Sequence, residues 1–474
     1  MRNALPRHKP LVQPPATRRG NFGEVIQDYD FQDAMDEADR CISCENARCE
    51  FACPLHNHIP RWIGELKRGN LAEAYRIIRE TSPMPEICSR LCPQERLCEG
   101  ACAMGIRYEA IAIGQLERFV SRHGSKLVQL KAESPKVLSN HLKKKAAAVG
   151  SGPASFAFAH TLAKQGHSVT VFERWPRLGG VLRWIPHFKL PTELLESHIE
   201  ALKRLGVAFK TGVEIHSVHE LLKNGHDAVF LGVGASRPSV PKIPGVTLGG
   251  ILNSTDFLVR VYYDPVALPN GWQSITDLHG TRVAVLGGGD SAMDCLRTAV
   301  RLGASEVTCF YRRDEANMPG SKKEVKAAKE EGVRMQFLAA PTVFLSRDGQ
   351  TVSQVECIRM ELGPPDASGR RSPVSIEGSN FTTEVDLVVL SFGYEVEPML
   401  ADRERLMPPP KGIVKINPAT GATPIPGVFA GGDCVTGPNL VCTAARAGIV
   451  AAQGALGYFA GEPWEILCNT KSSK

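Results

Sequence analysis

Eight cysteines stand in two tight runs, Cys41-x2-Cys44-x4-Cys49-x3-Cys53-Pro54 and Cys88-x3-Cys92-x5-Cys98-x3-Cys102, and only six more follow in the remaining 372 residues. Thiols packed this densely are disulfide-paired, metal-bound or cluster-bound, because free they are an oxidation hazard. Four soft anionic ligands suit a [4Fe–4S] cube. The first run ends in Cys-Pro, as ferredoxin-type runs do, and there the last cysteine often serves a different cluster, so run membership does not assign ligands. Structural zinc also takes four cysteines, but spacings of 4, 3 and 5 suit a zinc ribbon poorly, and zinc carries no electrons.

Two glycine loops lie downstream. Gly150-x-Gly152-x-x-Ser155 falls between a strand-like and a helix-like stretch, where glycines permit a tight turn and let backbone approach a pyrophosphate at a helix N-terminus. Ser155 takes the place where glycine or alanine is usual, which predicts looser helix–strand packing. Glu173 ends the next strand 23 residues after Gly150, a carboxylate placed for a ribose hydroxyl and disfavouring a 2′-phosphate. Gly179, Gly180, Gly432 and Asp433 incline this first site towards FAD over NAD. The second loop, Gly287-x-Gly289-Asp290-Ser291-Ala292, is followed at its strand end by Arg312 and Arg313, arginines that suit the 2′-phosphate of NADP(H). Iron–sulfur clusters, a flavin and a nicotinamide explain all three features together as an electron-transfer enzyme. The competing readings are one loop serving only as a structural turn, or a non-catalytic zinc-binding subunit with idle loops.

The elements that must position these residues follow from periodicity. Residues 22–124 read as mainly helical around the cysteines, with Leu71–Ile78 at helical spacing between the runs, and a polar connector over about 124–143 containing Glu133-Ser-Pro135. From Lys145 the pattern is strand 146–149, helix 153–165, strand 168–172. It repeats as strand 282–286, helix 290–302, strand 306–311, about 137 residues on. A last strand at 427–430 and a helix at 443–456 predict a return to the first nucleotide unit. The expected architecture is α/β. A basic tail (1–21), mobile or draped on a partner, precedes a helical iron–sulfur domain (22–143). A discontinuous FAD domain (144–265 and 395–474) then encloses an NADPH domain (266–394).

The chain of 474 residues, with 43% hydrophobic and 22% charged residues and a net charge of +6, is an ordinary globular composition. No basic face with interleaved aromatics argues for nucleic acid, and no apolar run nears the roughly 18–20 residues of a membrane span. The start lacks the apolar core of a secretory signal, so a cytoplasmic protein with thiols as ligands is expected. Cys295, Cys309, Cys357, Cys434, Cys442 and Cys468 read as core or surface thiols, His56 and His58 as loop residues. Trp62, Trp175, Trp184, Trp272 and Trp464 read as packing residues.

The ordered motifs Cys41-Ile-Ser-Cys44, Glu86-Ile-Cys88-Ser-Arg-Leu-Cys92-Pro-Gln-Glu-Arg-Leu-Cys98-Glu-Gly100, Ile185-Pro-His-Phe-Lys189-Leu190, Gly287-Gly-Gly-Asp-Ser-Ala-Met-Asp294, Tyr311-Arg-Arg-Asp314, Asn317-Met-Pro-Gly-Ser321 and Ala430-Gly-Gly-Asp433 cover nearly the whole chain. Through them it resembles the small (β) subunit family of bacterial NADPH-dependent glutamate synthase. It is also similar to the N-terminal module of dihydropyrimidine dehydrogenase and to the large subunit of bifurcating NADH:ferredoxin NADP oxidoreductases. The resemblance implies two [4Fe–4S] clusters, one on Cys41, Cys44, Cys49 and Cys102, the other on Cys53, Cys92, Cys98 and Glu117, with Cys88 as the rival for the last place. It implies that Arg174, Lys189, Gly234 and Thr443 join the FAD site, with no general acid–base pair expected. It further implies a hetero-oligomer with a glutamate synthase large subunit, which would carry the amidotransferase and FMN chemistry that this chain lacks. A bifurcating transhydrogenase or another oxidoreductase complex are alternative settings. Relatives carry Tyr-Gly before Ile-Pro-x-Phe-Lys-Leu; this chain reads Leu182-Arg-Trp-Ile-Pro-His187 and is one residue shorter. Beyond Gly457 no appended ferredoxin or amidotransferase domain is expected.

Overall fold

The computed structural model describes residues 6–128, 139, 142–365, 371–397, 406 and 412–468. Arg2 and the Glu133-Ser-Pro135 stretch lie outside them.

The N-terminal third is a set of helices, Phe31–Asp39, Arg48–Ala52, Ile59–Lys67, Leu71–Thr81, Pro85–Leu91 and Ile113–Val128. Local sequence sets their ends. Asp30 caps the first by accepting from the Asp33 N–H (2.7 Å), and prolines occupy the first turns at 60 and 85, where no N–H is needed. Their apolar faces meet in a core of Trp62, Ile63, Leu66, Ile78, Leu116 and Phe119. The last helix runs to Val128, so the connector expected from 124 begins later; Phe119 and Val120 anchor that helix in the core.

Two five-stranded parallel sheets follow. The first has the order Val428–Ala430, Ala228–Leu231, Lys145–Val149, Ser168–Glu173, Ala208–Thr211. Its edge strand comes from the far end of the chain, as the sequence pattern predicts. Strands buried on both faces need apolar runs, and Ala228–Leu231 is fully buried. The helices Pro153–Lys164 and Val441–Phe459 cover one face, packing Phe156, Phe158, Phe230 and Phe429, each worth about 1.5–3 kcal/mol of burial.

The second sheet has the order Ile251–Asn253, Leu387–Leu390, Arg282–Leu286, Glu306–Tyr311, Arg334–Phe337. Residues 251–253 thus belong to it, whereas the sequence reading ran the first unit to 265. Three residues without alternation leave no sheet signature, and their partners come from residue 388 onward. An antiparallel sheet of Ala339–Leu345, Gln354–Pro365, Arg371–Ser375 and Phe381–Glu384 is inserted before the last central strand. A short ribbon, Arg237–Pro238 with Tyr394–Glu395, links the crossings between units.

The described part of the N-terminal arm, residues 6–21, packs on its own chain. Arg7 donates to Glu99 (2.7 Å). Arg18, 3% exposed, donates to Glu331 (2.8 Å) and Glu330 (2.6 Å) of the second nucleotide unit. A buried guanidinium needs paired carboxylates, and these two supply them. No described helix is long and apolar enough to cross a membrane.

Candidate functional site

The first loop adopts the geometry its glycines permit. Gly150 has φ +90°, and a Cβ there would sit 2.5 Å from the Gly232 carbonyl oxygen. Gly152 faces open space, so its backbone is free to be approached. Ser151 links the loop to the next strand: its N–H and hydroxyl donate to one Glu173 oxygen (2.9 and 2.5 Å), while its hydroxyl accepts from the Gly179 N–H (2.9 Å). Ser155 is wholly buried, and a Cβ on Gly232 would meet its hydroxyl at 2.2 Å. The packing expected to be loose is therefore tight. The glycine that makes room for Ser155 sits on the neighbouring strand end, not in the loop.

These residues open onto a cleft of about 280 Å³, near the lower end of the roughly 300–1,000 Å³ usual for small-molecule pockets. Gly150, Gly152, Glu173, Arg174, Gly180, Gly234, Gly432 and Asp433 line it. Burial pushes the Asp433 carboxyl up to about 6, against the Asn439 N–H it accepts (3.2 Å). Trp184 also lines the cleft, with its ring 5.9 Å from that of Trp175. Ser155, Gly179, Lys189 and Thr443 stand behind this wall. Lys189 binds Asp294 (2.9 Å), and the Thr443 hydroxyl donates to Leu440 O (2.7 Å).

The second loop is built alike. Gly287 has φ +142°, and a Cβ would lie 2.3 Å from Ser391 O; Gly289 is open. Asp290 accepts from the Ser321 N–H (2.8 Å), and Gly320 N–H donates to Gly288 O (3.0 Å), so the 317–321 segment folds over the loop. Ala292 is buried, whereas Ser291 and Asp294, one helical turn on, line the first cleft. The two loops therefore share one cavity wall. The paired arginines part company. Arg312 is exposed at the strand end; Arg313 is 7% exposed and donates to Arg371 O (3.0 Å) of the inserted sheet. Ser151, Tyr394 and Asp294 are cleft residues that the sequence does not single out, and Trp175, expected only to pack, lines the cleft as well. Of these only Asp294 carried a signal, as the end of a quoted motif.

All fourteen cysteines are free. Cys41, Cys44, Cys49 and Cys102 surround one small cavity together with Ile59, Ile63 and Met104. Cys53, Cys88, Cys92, Cys98 and Glu117 form a second neighbourhood, in which each is an electrostatic or hydrogen-bonding neighbour of another. Both sets cross between the runs. Cys442, read from sequence as an ordinary thiol, also reaches Cys92. Burial pushes Cys49 and Cys53 up to about 12 and raises Cys41, so these thiols ionise only beside a positive charge. A metal core supplies that charge, and the all-sulfur donor set of the first cavity fits an iron–sulfur cube. Among the described residues, no three His, Cys, Asp or Glu side chains converge on a single-ion site. Thiolates on one zinc lie about 2.3 Å from it, and those on a four-iron cube stand wider apart.

Fold and site define the class: a dinucleotide-binding oxidoreductase joined to a 4Fe–4S domain. A family model described as dihydropyrimidine dehydrogenase domain II, 4Fe-4S cluster, matches residues 18–127, and one described as pyridine nucleotide-disulphide oxidoreductase matches residues 144–448. The glutamate synthase [NADPH] small chain of Halomonas elongata is 38% identical over 95% of this chain and 96% of its own. A putative oxidoreductase of Escherichia coli, AegA, is 39% identical over 93% of this chain and 68% of its own. Mycobacterium tuberculosis FprA in complex with NADPH shares the fold at a TM-score of 0.57 and 20% identity, over 69% of this chain and 87% of that one. The chain belongs to the glutamate synthase [NADPH] small chain family.

Proposed function

We propose that this chain oxidises NADPH and delivers the electrons, through FAD and two [4Fe–4S] clusters, to a partner subunit, most directly a glutamate synthase large chain. The observation that carries the reading is the shared wall: Gly150 and Gly152 of the first loop, and Ser291 and Asp294 after the second, line one cleft. When bound, FAD accepts a hydride from NADPH and releases single electrons, which iron–sulfur clusters carry onward.

The protein's part is position and charge. The first loop offers open backbone at Gly152 and a helix N-terminus at Pro153 for a pyrophosphate. Glu173, held by Ser151 and Trp175 N–H (2.9 Å), presents a fixed carboxylate to a ribose. Exposed Arg312 stands at the strand end for a 2′-phosphate. Cys88 lies in the core of the first nucleotide unit with Cys92 packed against it, Cys53 touches that core and the helical one, and Cys41, Cys49, Cys98 and Cys102 pack against the helical core. That supports an order of cleft, second thiol set, first thiol set, with the first set on the side of the acceptor.

Reduced thiols that serve as ligands suit the cytoplasm. A longer relative named only as an oxidoreductase, AegA, favours a second reading, in which the same module feeds a different acceptor. Anaerobic purification from native cells, with metal analysis and mass spectrometry of stoichiometric partners, tests both. A large partner with amidotransferase and FMN-barrel sequences, and iron in the chain, is expected. A small flavoprotein or no partner overturns the glutamate synthase assignment, and zinc in place of iron overturns electron transfer.

A further inference from the structure

The short turn Gln94–Arg96 lies between Cys92 and Cys98, yet it also rests on the second nucleotide unit. Glu95 Oε1 accepts from the Ser321 hydroxyl (2.7 Å), and Glu95 Oε2 pairs with Lys323 (3.4 Å). Arg96 Nη1 donates to Pro319 O (3.2 Å), and Nη2 stands 3.8 Å from Asp290 Oδ2. The Ser321 N–H donates to the other Asp290 oxygen (2.8 Å). The 319–323 segment is thus clasped between the thiol-bearing loop and the second glycine loop, and Arg96 reaches past it to that loop. Its guanidinium is an underused cation. Arginine has five N–H donors; one is taken by Pro319, and 3.8 Å to Asp290 is too long for a hydrogen bond. The side chain is 49% exposed, so the remaining donors face solvent.

We propose that Arg96, a residue of the iron–sulfur domain, completes the pyrophosphate subsite of the NADPH site, offsetting Asp290 and donating to the phosphate oxygens. This rests on the second glycine loop being the NADPH site. Asp290 begins the helix Asp290–Arg301, and the open backbone of Gly289 precedes it, which is where a dinucleotide places its two phosphates. An acid at that position repels a pyrophosphate unless a cation stands beside it, and Arg96 is that cation. Its planar fork also matches phosphate oxygens two at a time. The turn does not need the side chain: the Arg96 N–H donates to Pro93 O (2.9 Å), and the Glu99 and Gly100 N–H groups donate to Gln94 O (3.0 and 3.1 Å). The nucleotide site is then shared between two domains, and its pyrophosphate is held two positions before Cys98.

The experiment uses anaerobically prepared, oxidised full-length holoprotein and its Arg96→Gln and Arg96→Lys variants. Arg76→Gln, an exposed arginine of the helix Leu71–Thr81, is the control. Iron per chain and unfolding temperature are measured first, then binding of NADP+, NAD+ and 2′-AMP by calorimetry. NADP+ and NAD+ share the pyrophosphate, whereas 2′-AMP carries the 2′-phosphate without it. Iron and unfolding temperature are expected to match wild type in all three variants. Losing a charge-assisted hydrogen bond should weaken NADP+ and NAD+ alike by about tenfold in Arg96→Gln. Affinity for 2′-AMP should stay put, and Arg96→Lys, which keeps the charge, should recover part of the loss. Unchanged NADP+ affinity in Arg96→Gln overturns the proposal. So does an equal loss for 2′-AMP, since Arg96 then shapes the whole pocket, and so does a loss of iron, since Arg96 then serves the thiol loop. Wild-type protein that binds no NADP+ overturns the nucleotide reading itself, a failure that the wild-type titration alone distinguishes.

Discussion

Lys189 Nζ and Asp294 Oδ1 stand 2.9 Å apart, and this pair ties the segment after the first cleft to the helix after the second glycine loop. Glu324 completes the group at 3.7 Å, and Phe188 beside it lies under the guanidinium groups of Arg297 and Arg301, at 4.6 and 3.9 Å from its ring centre. Buried charge and one ring thus bridge the two nucleotide units. Replacing Lys189 with Met strands the Asp294 carboxylate, while Glu324 keeps Arg297 (2.6 Å), and breaking a buried pair costs about 3–5 kcal/mol. Thermal unfolding of Lys189→Met should show a loss of that size. A change within about 0.5 kcal/mol, the range of an ordinary surface substitution, would show that the pair does not hold the units.

Glu331 accepts from Arg18, Arg297 and Arg301 at the neighbouring junction. Burial opposes its charge, but the hydrogen bonds from Arg301 and Arg297 prevail and hold it at about 2, below the ordinary 4.5. A depressed folded-state value means stabilisation fully present above about 4.5 and lost as pH falls towards about 2. Glu331→Gln should therefore be much less stable than wild type at neutral pH. Unfolding measured as a function of pH should show the gap narrowing across that acid window. A gap independent of pH would mean that packing, not charge, carries the effect.

Gly150 and Gly152 should fail differently when changed to alanine. At Gly150 the methyl meets a carbonyl 2.5 Å away at a positive φ, so the fold itself is damaged. At Gly152 nothing lies within 4 Å, so the apoprotein should keep its unfolding temperature while the methyl obstructs the pyrophosphate. Flavin absorbance per chain after gel filtration should be near zero for Gly152→Ala. Full flavin in that variant would place the cofactor elsewhere.

What the sequence disclosed was local. Strand, glycine turn and helix follow one another over about thirty residues, and both units fall within a residue or two of their expected bounds, as at Arg282–Leu286 and Asp290–Arg301. The crossing of thiols between runs came from the family resemblance, and the first set does surround a cavity. Hidden features depend on residues far apart in sequence. Gly232 makes room for Ser155, Ile251–Asn253 pairs with a strand beginning at 387, Arg18 finds Glu331, and Cys442 reaches Cys92. No spacing rule connects such partners. The inserted antiparallel sheet was also unread, since its alternation sits between two stronger parallel signals.

Glu117 and Cys88 compete for the last place in the second set, and the two substitutions should separate them. Glu117 neighbours Cys53 and Cys98, while Cys88 is held by Cys92 and Ser82 inside the first unit's core. Cys88→Ala should keep its iron, and Glu117→Ala should lose about half or show an altered paramagnetic signal from one cluster. The reverse pattern would give the place to Cys88.

Arg312 and Arg313 are adjacent and both basic, yet they should behave as different kinds of residue. Arg313 is buried and its Nε donates to Arg371 O, so Arg313→Ala leaves a carbonyl unpaired and loosens the inserted sheet, lowering the unfolding temperature. Arg312 is exposed, so its removal should leave stability unchanged. A charge-assisted hydrogen bond is worth about 1.5–3 kcal/mol, and 1.4 kcal/mol is a factor of ten, so losing Arg312 should raise KM for NADPH by roughly 10- to 100-fold. KM for NADH, which has no 2′-phosphate, should not move. Steady-state diaphorase assays with both nucleotides decide the matter. An equal rise for NADH and NADPH would mean that Arg312 touches something common to both and that discrimination lies elsewhere.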